Sequence, residues 1–143
     1  MYHWNDDLCI GNSEIDDQHK KLFKIAARVE ELIDECNSNP FGKKDTARQQ
    51  RVLRETIKYL KSYVIEHFSA EEAFQLRIGY KEYKNHKKIH DNFAAEVERM
   101  EKKVYEDGCS DECVRNFLNW FSEWLYNHIM QVDQKIIEKE KEE

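Results

Sequence analysis

Four stripes of apolar residues, each stepping mostly by three or four positions, restrict this chain to helices. The first is Leu22, Ala26, Val29 and Ile33, flanked by Phe23, Ile25 and Leu32. The second is Leu53, Ile57, Leu60, Val64 and Phe68. The third is Tyr83, Phe93, Val97, Met100 and Val104, and the fourth is Val114, Phe117, Phe121, Leu125, Val132 and Ile136. Such steps gather side chains on one face of a helix, and no alternating run of strand type competes with them. With only 4 Gly and 1 Pro, little interrupts the helices.

Asn37-Ser38-Asn39-Pro40 closes the first stripe, Gly79 lies in the break after the second, and Asp107-Gly108 ends the third. Asp16 is the expected cap of the first helix, Asp45 or Thr46 of the second, and Ser110 or Asp111 of the fourth. Short breaks make consecutive helices antiparallel neighbours, so the expected fold is all-α, an up-down-up-down four-helix bundle. One domain is expected over residues 1–143. An ordered N-terminal arm (1–15) carries Trp4, Leu8, Ile10 and Ile15, the bundle spans 16–138, and a polar tail covers 139–143.

Several function classes fall away on composition. A net charge of −6 with no Lys/Arg run argues against a nucleic-acid surface. No stretch approaches the ~18 apolar residues of a membrane span. The first residues, Met1-Tyr2-His3-Trp4-Asn5-Asp6-Asp7, lack the basic flank and apolar segment of a secretory signal, so a cytoplasmic protein is expected. There Cys9, Cys36, Cys109 and Cys113 are expected to be reduced thiols. Cys109 and Cys113 offer half a metal site at helical spacing, but no nearby pair completes it.

The stripes have polar holes, and these carry the chemistry. His19 precedes Leu22 by three, His67 and Glu71 continue the second stripe, His86 and His90 fill the gap after Tyr83, and His128 follows Leu125. Five of the 6 His therefore face the core on four helices; only His3 does not. Residues four apart point the same way, so His67/Glu71 and His86/His90 each grip one object from one side. One core imidazole is commonly a hydrogen-bonded core residue, but five with an aligned carboxylate call for a metal such as iron, zinc or copper. That is too many donors for one tetrahedral zinc and suits two carboxylate-bridged ions. Neither His-Glu-x-x-His nor Glu-x-x-His occurs, which removes the zinc-protease reading and that of the ferritin-like oxidases.

Taken in order, Trp4, Ile15-Asp16-x-Gln18-His19-x-x-Leu22-Phe23, His67-Phe68-x-x-Glu71-Glu72, His86-x-x-x-His90-x-x-Phe93 and His128-Ile129-x-x-x-Asp133 resemble the hemerythrin family, in particular its stand-alone bacterial members. The resemblance spans essentially the whole chain. It implies a non-haem centre of two iron ions with an oxo or hydroxo bridge. His86, His90 and His128 would saturate one iron, and His19 and His67 would hold the other with one position open. Glu71 and Asp133 would bridge the two. Spacing alone does not find Asp133, which on an ideal helix lies about 140° from His128; the assignment requires a local widening of the helix or the reach of the bridge position.

The resemblance further implies reversible binding of dioxygen, for storage, transport, delivery or sensing, with an oxygen-using enzyme or redox partner beyond it, and no enzymatic turnover. Leu22, Phe68, Trp124, Leu125 and Met130, beside the ligands, are the expected walls of the oxygen pocket. The chain departs from the family pattern at Gln75, where Met is frequent, and at Tyr80-Lys81, where Tyr-Pro is usual. Gln75 predicts a change in pocket polarity or in the end of the helix. Three other readings compete: a di-iron oxidase, peroxidase or nitric-oxide-handling enzyme on the same ligands; a sensor module acting on a separate partner; and a metal-free structural bundle, which the five core imidazoles disfavour.

Overall fold

A computed structural model describes residues 1–37, 46–108 and 110–136. Four long helices form: α1 (Ser13–Asn37), α2 (Thr46–Arg77), α3 (Tyr83–Glu106) and α4 (Asp111–His128). A π-helical turn, Ile129–Asp133, continues α4, and a short 3-10 turn, Asp6–Leu8, precedes α1. No strand occurs among the described residues.

Each apolar stripe becomes a buried face. Leu22, Ala26, Val29 and Ile33 meet Leu53, Ile57, Leu60 and Val64, and Phe93, Val97 and Val104 meet Val114, Phe117, Phe121 and Leu125 in one core. Contacts across the helices run in opposite senses along the chain. Lys61 faces Glu98 and Glu101 while Gln50 reaches Gly108. Lys21 lies over Tyr63, and Asp34 pairs with Arg115. With α1 also packed on α4, the ring closes as an up-down-up-down bundle.

The corners follow from local chemistry. The Ser110 hydroxyl accepts the Cys113 N–H at 3.3 Å and so caps α4. At the end of α2, Gly79 sits at φ +68°, its N–H donates to the Leu76 carbonyl at 3.2 Å, and the Tyr80 N–H donates to the Gln75 carbonyl at 2.9 Å. That pair of bonds is a Schellman motif, whose left-handed position favours glycine.

Three expectations need correcting. Asp16 does not cap α1, which starts at Ser13; the Asn12 side chain caps it by accepting the Ile15 N–H at 3.1 Å, so the arm ends at 12. Asp16 instead reaches back, taking the Ile10 N–H at 2.8 Å and the Gly11 N–H at 3.3 Å. Second, Val132 is only half-buried, because the π turn adds a residue and brings Asp133 to the inward position. Third, Tyr83 and Met100 are half-buried, at the margin of their stripe. Asp45, the close of the first break (38–40) and the tail 139–143 lie outside the described residues.

The arm is tied down at several points. Leu8 and Ile10 are buried in the core. Gln134 donates to the Asp7 carbonyl at 3.2 Å, and the Tyr2 N–H donates to Ser122. Since Asp16 takes two arm amides, that of buried Ile10 and that of exposed Gly11, Asp16→Ala is expected to cost about 1–3 kcal/mol, chiefly by stranding the buried Ile10 donor. Hydrogen exchange checks this: the Ile10 and Gly11 amides should lose protection while mid-helix amides of α3 keep theirs.

Candidate metal centre

Antiparallel packing gathers the start of α1, the end of α2, the start of α3 and the end of α4 at one end of the bundle. His19 comes from α1, His67 and Glu71 from α2, His86 and His90 from α3, His128 from α4, and Asp133 from the π turn. All seven are buried, none more than 5% exposed. Asp133 gets there through the widened turn: the Gln134 N–H donates to the Ile129 carbonyl, an i to i−5 bond that swings position 133 back towards His128. Its Oδ1 then lies 3.0 Å from His128 Nε2.

The two carboxylates divide the imidazoles into two groups. Glu71 Oε1 lies 3.0 Å from His86 Nε2 and 3.4 Å from His90 Nε2, and Asp133 Oδ1 lies 3.1 Å from His86 Nε2. The other oxygens serve the other group: Glu71 Oε2 lies 3.6 Å from His19 Nε2 and 3.3 Å from His67 Nε2, and Asp133 Oδ2 lies 3.3 Å from His19 Nε2. Two donor sets of metal-binding size result. Glu71, His86, His90, His128 and Asp133 form one, and His19, His67, Glu71 and Asp133 the other.

These atoms suit cations better than they suit each other. All four carboxylate oxygens and both His19 nitrogens are buried with no hydrogen-bond partner. His128 Nε2 is 3.1 Å from both His86 Nε2 and His90 Nε2, a crowding that mutual hydrogen bonds cannot satisfy. Nitrogens ~2.1 Å from one ion at right angles to each other would stand ~3.0 Å apart, so this spacing fits ligands of one octahedral ion.

Behind the inward nitrogens sits a ring of polar partners. His67 Nδ1–H donates to Gln18 Oε1 at 2.7 Å, His90 Nδ1–H donates to Glu72 Oε2 at 3.0 Å, and the Gln75 carboxamide lies 2.9 Å from His86 Nδ1. Such partners hold an imidazole in the tautomer that aims Nε2 at a metal.

Comparison with known proteins agrees with this arrangement. The family model described as the hemerythrin HHE cation binding domain matches residues 11–139. The chain belongs to the hemerythrin family. It is similar to a bacteriohemerythrin of Clostridium acetobutylicum, 33% identical over 139 residues that cover 96% of this chain and 100% of that one. A bacteriohemerythrin of Pseudomonas aeruginosa is 35% identical over 91% of this chain and 75% of its own. A hemerythrin-like protein of Naegleria gruberi is 28% identical over 94% and 89%.

The residues flanking the cluster split. Leu22, Phe68 and Leu125 are buried. Phe68 stacks on His90, with ring centroids 3.8 Å apart. Trp124 is half-buried on the three-histidine side, stacked on His128 at 4.4 Å and on Phe93 at 3.6 Å. It also lines an outward cleft of about 480 Å³ with Ile89, Asn127 and Val132. Met130 does not wall the interior: it is 39% exposed, and its sulfur lies 3.9 Å from Gln134 Nε2. Two residues after His128, it falls on the opposite side of the helix. Cys9 is an exposed thiol and, like Cys113, stands in neither donor set. Cys109 and the side chain of Cys36 lie outside what is described.

The sequence points at Gln75 only as a change in pocket polarity or in the helix end, and at Gln18 and Glu72 only as members of the family pattern, without the imidazole that each one meets. Gln75 had a signal, since His67, Glu71 and Gln75 step by four along one face of α2. Gln18 and Glu72 stand in the family pattern beside candidate ligands, but the rings they meet, His67 and His90, lie on other helices.

The buried charges of the cluster compensate one another. Burial opposes a proton on His19, but Asp133 and Glu71 outweigh it and push the imidazole up to about 9. At His86 the same contest ends with the ring pushed up to about 9. Burial dominates at His67 and holds it below its usual value. Burial favours the neutral acid of Glu71, yet His19, His67, His86 and His90 hold it well below the carboxylate range. Asp133, raised by burial and by the Glu71 charge, is brought below its ordinary value by His128 and His19.

Folded imidazoles that hold protons more tightly than unfolded ones contribute stability that is complete below the usual 6.5 and lost as pH rises through about 9. Thermal unfolding of the metal-free protein should therefore show Tm falling from pH 6.5 to pH 9, and His19→Gln should flatten that fall. A Tm that climbs over the interval contradicts the assignment.

Proposed function

We propose that this protein binds dioxygen reversibly at two iron ions held by His19, His67, Glu71, His86, His90, His128 and Asp133. The observation that carries the reading is the unequal division of imidazoles, three against two, around two shared carboxylates. Three imidazoles, two carboxylate oxygens and one oxo or hydroxo group would fill six positions on one ion, whereas two imidazoles with the same shared groups would fill five, so His19 and His67 would hold the ion with room for a ligand. A ferrous pair, when bound, would supply two electrons and that open position, which is what holding and releasing dioxygen requires.

The protein's own part is to hold donors still and keep water away. Glu71 and Asp133 present one oxygen to each group, so each carboxylate would hold both ions at once. Gln18 and Glu72 fix the rotation of His67 and His90. Leu22, Phe68, Leu125 and Ile129 are buried beside the ligands and make the surroundings apolar, which slows the loss of a partly reduced, charged oxygen species to solvent. Neutral imidazoles outnumber carboxylates, a donor balance that favours carriage over oxidative turnover. Storage or delivery of dioxygen in the cytoplasm, to an oxygen-using enzyme or alongside a redox partner, is the role such a site serves.

Metal analysis with an anaerobic-to-aerobic optical titration tests the reading. Two irons per chain and a band that comes and goes with oxygen are expected. Zinc alone, or an irreversible spectral change, would overturn it. Steady consumption of peroxide or nitric oxide without a stable oxygenated form would assign the ligands to an enzyme instead. His67→Ala should abolish reversible oxygenation, and His3→Ala should leave it intact.

A further inference from the structure

Gln75 is a buried polar residue that packing alone does not explain. It has no exposure, it lies in the last turns of α2, and its carboxamide is 2.9 Å from His86 Nδ1 across the corner into α3. Its amide oxygen is buried without a partner when the nitrogen faces the ring. A half-turn of the carboxamide exchanges the two ends, and one end stays unpaired either way. Stranding such a group costs about 1–3 kcal/mol, and an apolar side chain of the same length would fill the corner without that cost.

The ring itself decides which end of the amide is used. His86 Nε2 points inward, 3.0 Å from Glu71 Oε1 and 3.1 Å from Asp133 Oδ1. A ring that ligates through Nε2 keeps its proton on Nδ1, so Nδ1–H donates and the Gln75 oxygen accepts. The corner fixes the backbone that carries the carboxamide: the Gln75 main-chain carbonyl receives the Tyr80 N–H, and Gly79 makes the left-handed turn, so Gln75 is tied to the start of the α2–α3 connection.

We propose that Gln75 is a positioning residue for His86: its carboxamide oxygen accepts the Nδ1 proton, fixes the tautomer and rotation that aim Nε2 at the three-histidine group, and strengthens that nitrogen as a donor to the metal held there. The identity of that metal rests on the di-iron reading; the hydrogen bond does not. The three partnered imidazoles then differ in a graded way. His90 leans on the anionic Glu72, while His86 and His67 lean on neutral carboxamides.

The test compares the full chain with Gln75→Met, which keeps the length and removes the strong acceptor, and Gln75→Glu, which keeps an acceptor. In the metal-free proteins, nitrogen-15 NMR should show a slowly exchanging His86 Nδ1 proton in the wild type and in Gln75→Glu, and its loss in Gln75→Met. After anaerobic loading with ferrous iron, chelator challenge should strip one iron from Gln75→Met roughly ten- to a hundredfold faster than from the wild type. Gln75→Glu should restore retention and lower the reduction potential relative to Gln75→Met. The Tm of metal-free Gln75→Met should equal or exceed that of the wild type. A His86 ring proton indifferent to Gln75→Met overturns the proposal. So does a Tm lowered alike in both variants with equal iron loss, which is the signature of a packing role. A wild type that takes up no iron sinks the di-iron reading, and the ring-proton measurement still decides Gln75.

Discussion

Two carboxylates with no access to water, Glu71 and Asp133, set the terms for the rest of this molecule. An ion buried without compensation costs several kcal/mol even after relaxation. Five imidazoles from four helices surround the pair, and no hydrogen bond to a neutral donor relieves it. The two carboxylates raise the proton affinity of His19 and His86, which draws protons, and so the opposite charge, towards the pair. Bound cations would displace those protons and do the same service at fixed distance. The fold therefore carries a polar cluster whose demand for positive charge is built in, which is why the donor set reads as a metal site.

Reaching that arrangement requires one break from regular geometry. A straight α-helix cannot aim both His128 and a residue five further on at the same point. The π turn at Ile129–Asp133 adds one residue to the turn and brings Asp133 within 3.0 Å of His128. The cost is local: Val132 rolls towards the surface, and Ile129 takes a buried place that keeps the apolar wall continuous. Widened turns of this kind occur mostly at functional sites, because a weaker backbone ladder is tolerated only where it positions something.

Much of this is legible in the sequence, and what is not has physical reasons. The stripes foretell four helices because burial has the helical period, and the polar holes foretell that His19, His67, Glu71, His86, His90 and His128 gather in the core, because a residue in the gap of an apolar stripe faces inward. Asp133 escapes periodicity, since the π turn changes the period just where it matters; only the likeness to a family pattern points to it. Asp16 misleads because an acidic residue near a helix start is a frequent cap, whereas here Asn12 caps and Asp16 latches the arm. Met130 misleads because sequence proximity to His128 says nothing of direction. Gln18 and Glu72 act across helix boundaries, and no one-dimensional spacing encodes such contacts.

Topology explains why the charge is tolerated. In an up-down-up-down bundle the start of α1 and of α3 meets the end of α2 and of α4, so every candidate ligand falls at one end. The opposite end is apolar where Ile33, Leu53, Val104 and Val114 converge, and it contributes burial without polar cost. The ligand-bearing end needs a cover, because α1 begins there and the widened end of α4 finishes there. The arm provides it: Leu8 and Ile10 enter the core, Asp16 holds the arm's backbone, and Gln134 ties Asp7 to the segment after the π turn. One half of the bundle thus stabilises the fold, which leaves the other half free to be arranged for donor geometry, and the arm joins the first element of that arrangement, which carries His19, to the last, which carries Asp133.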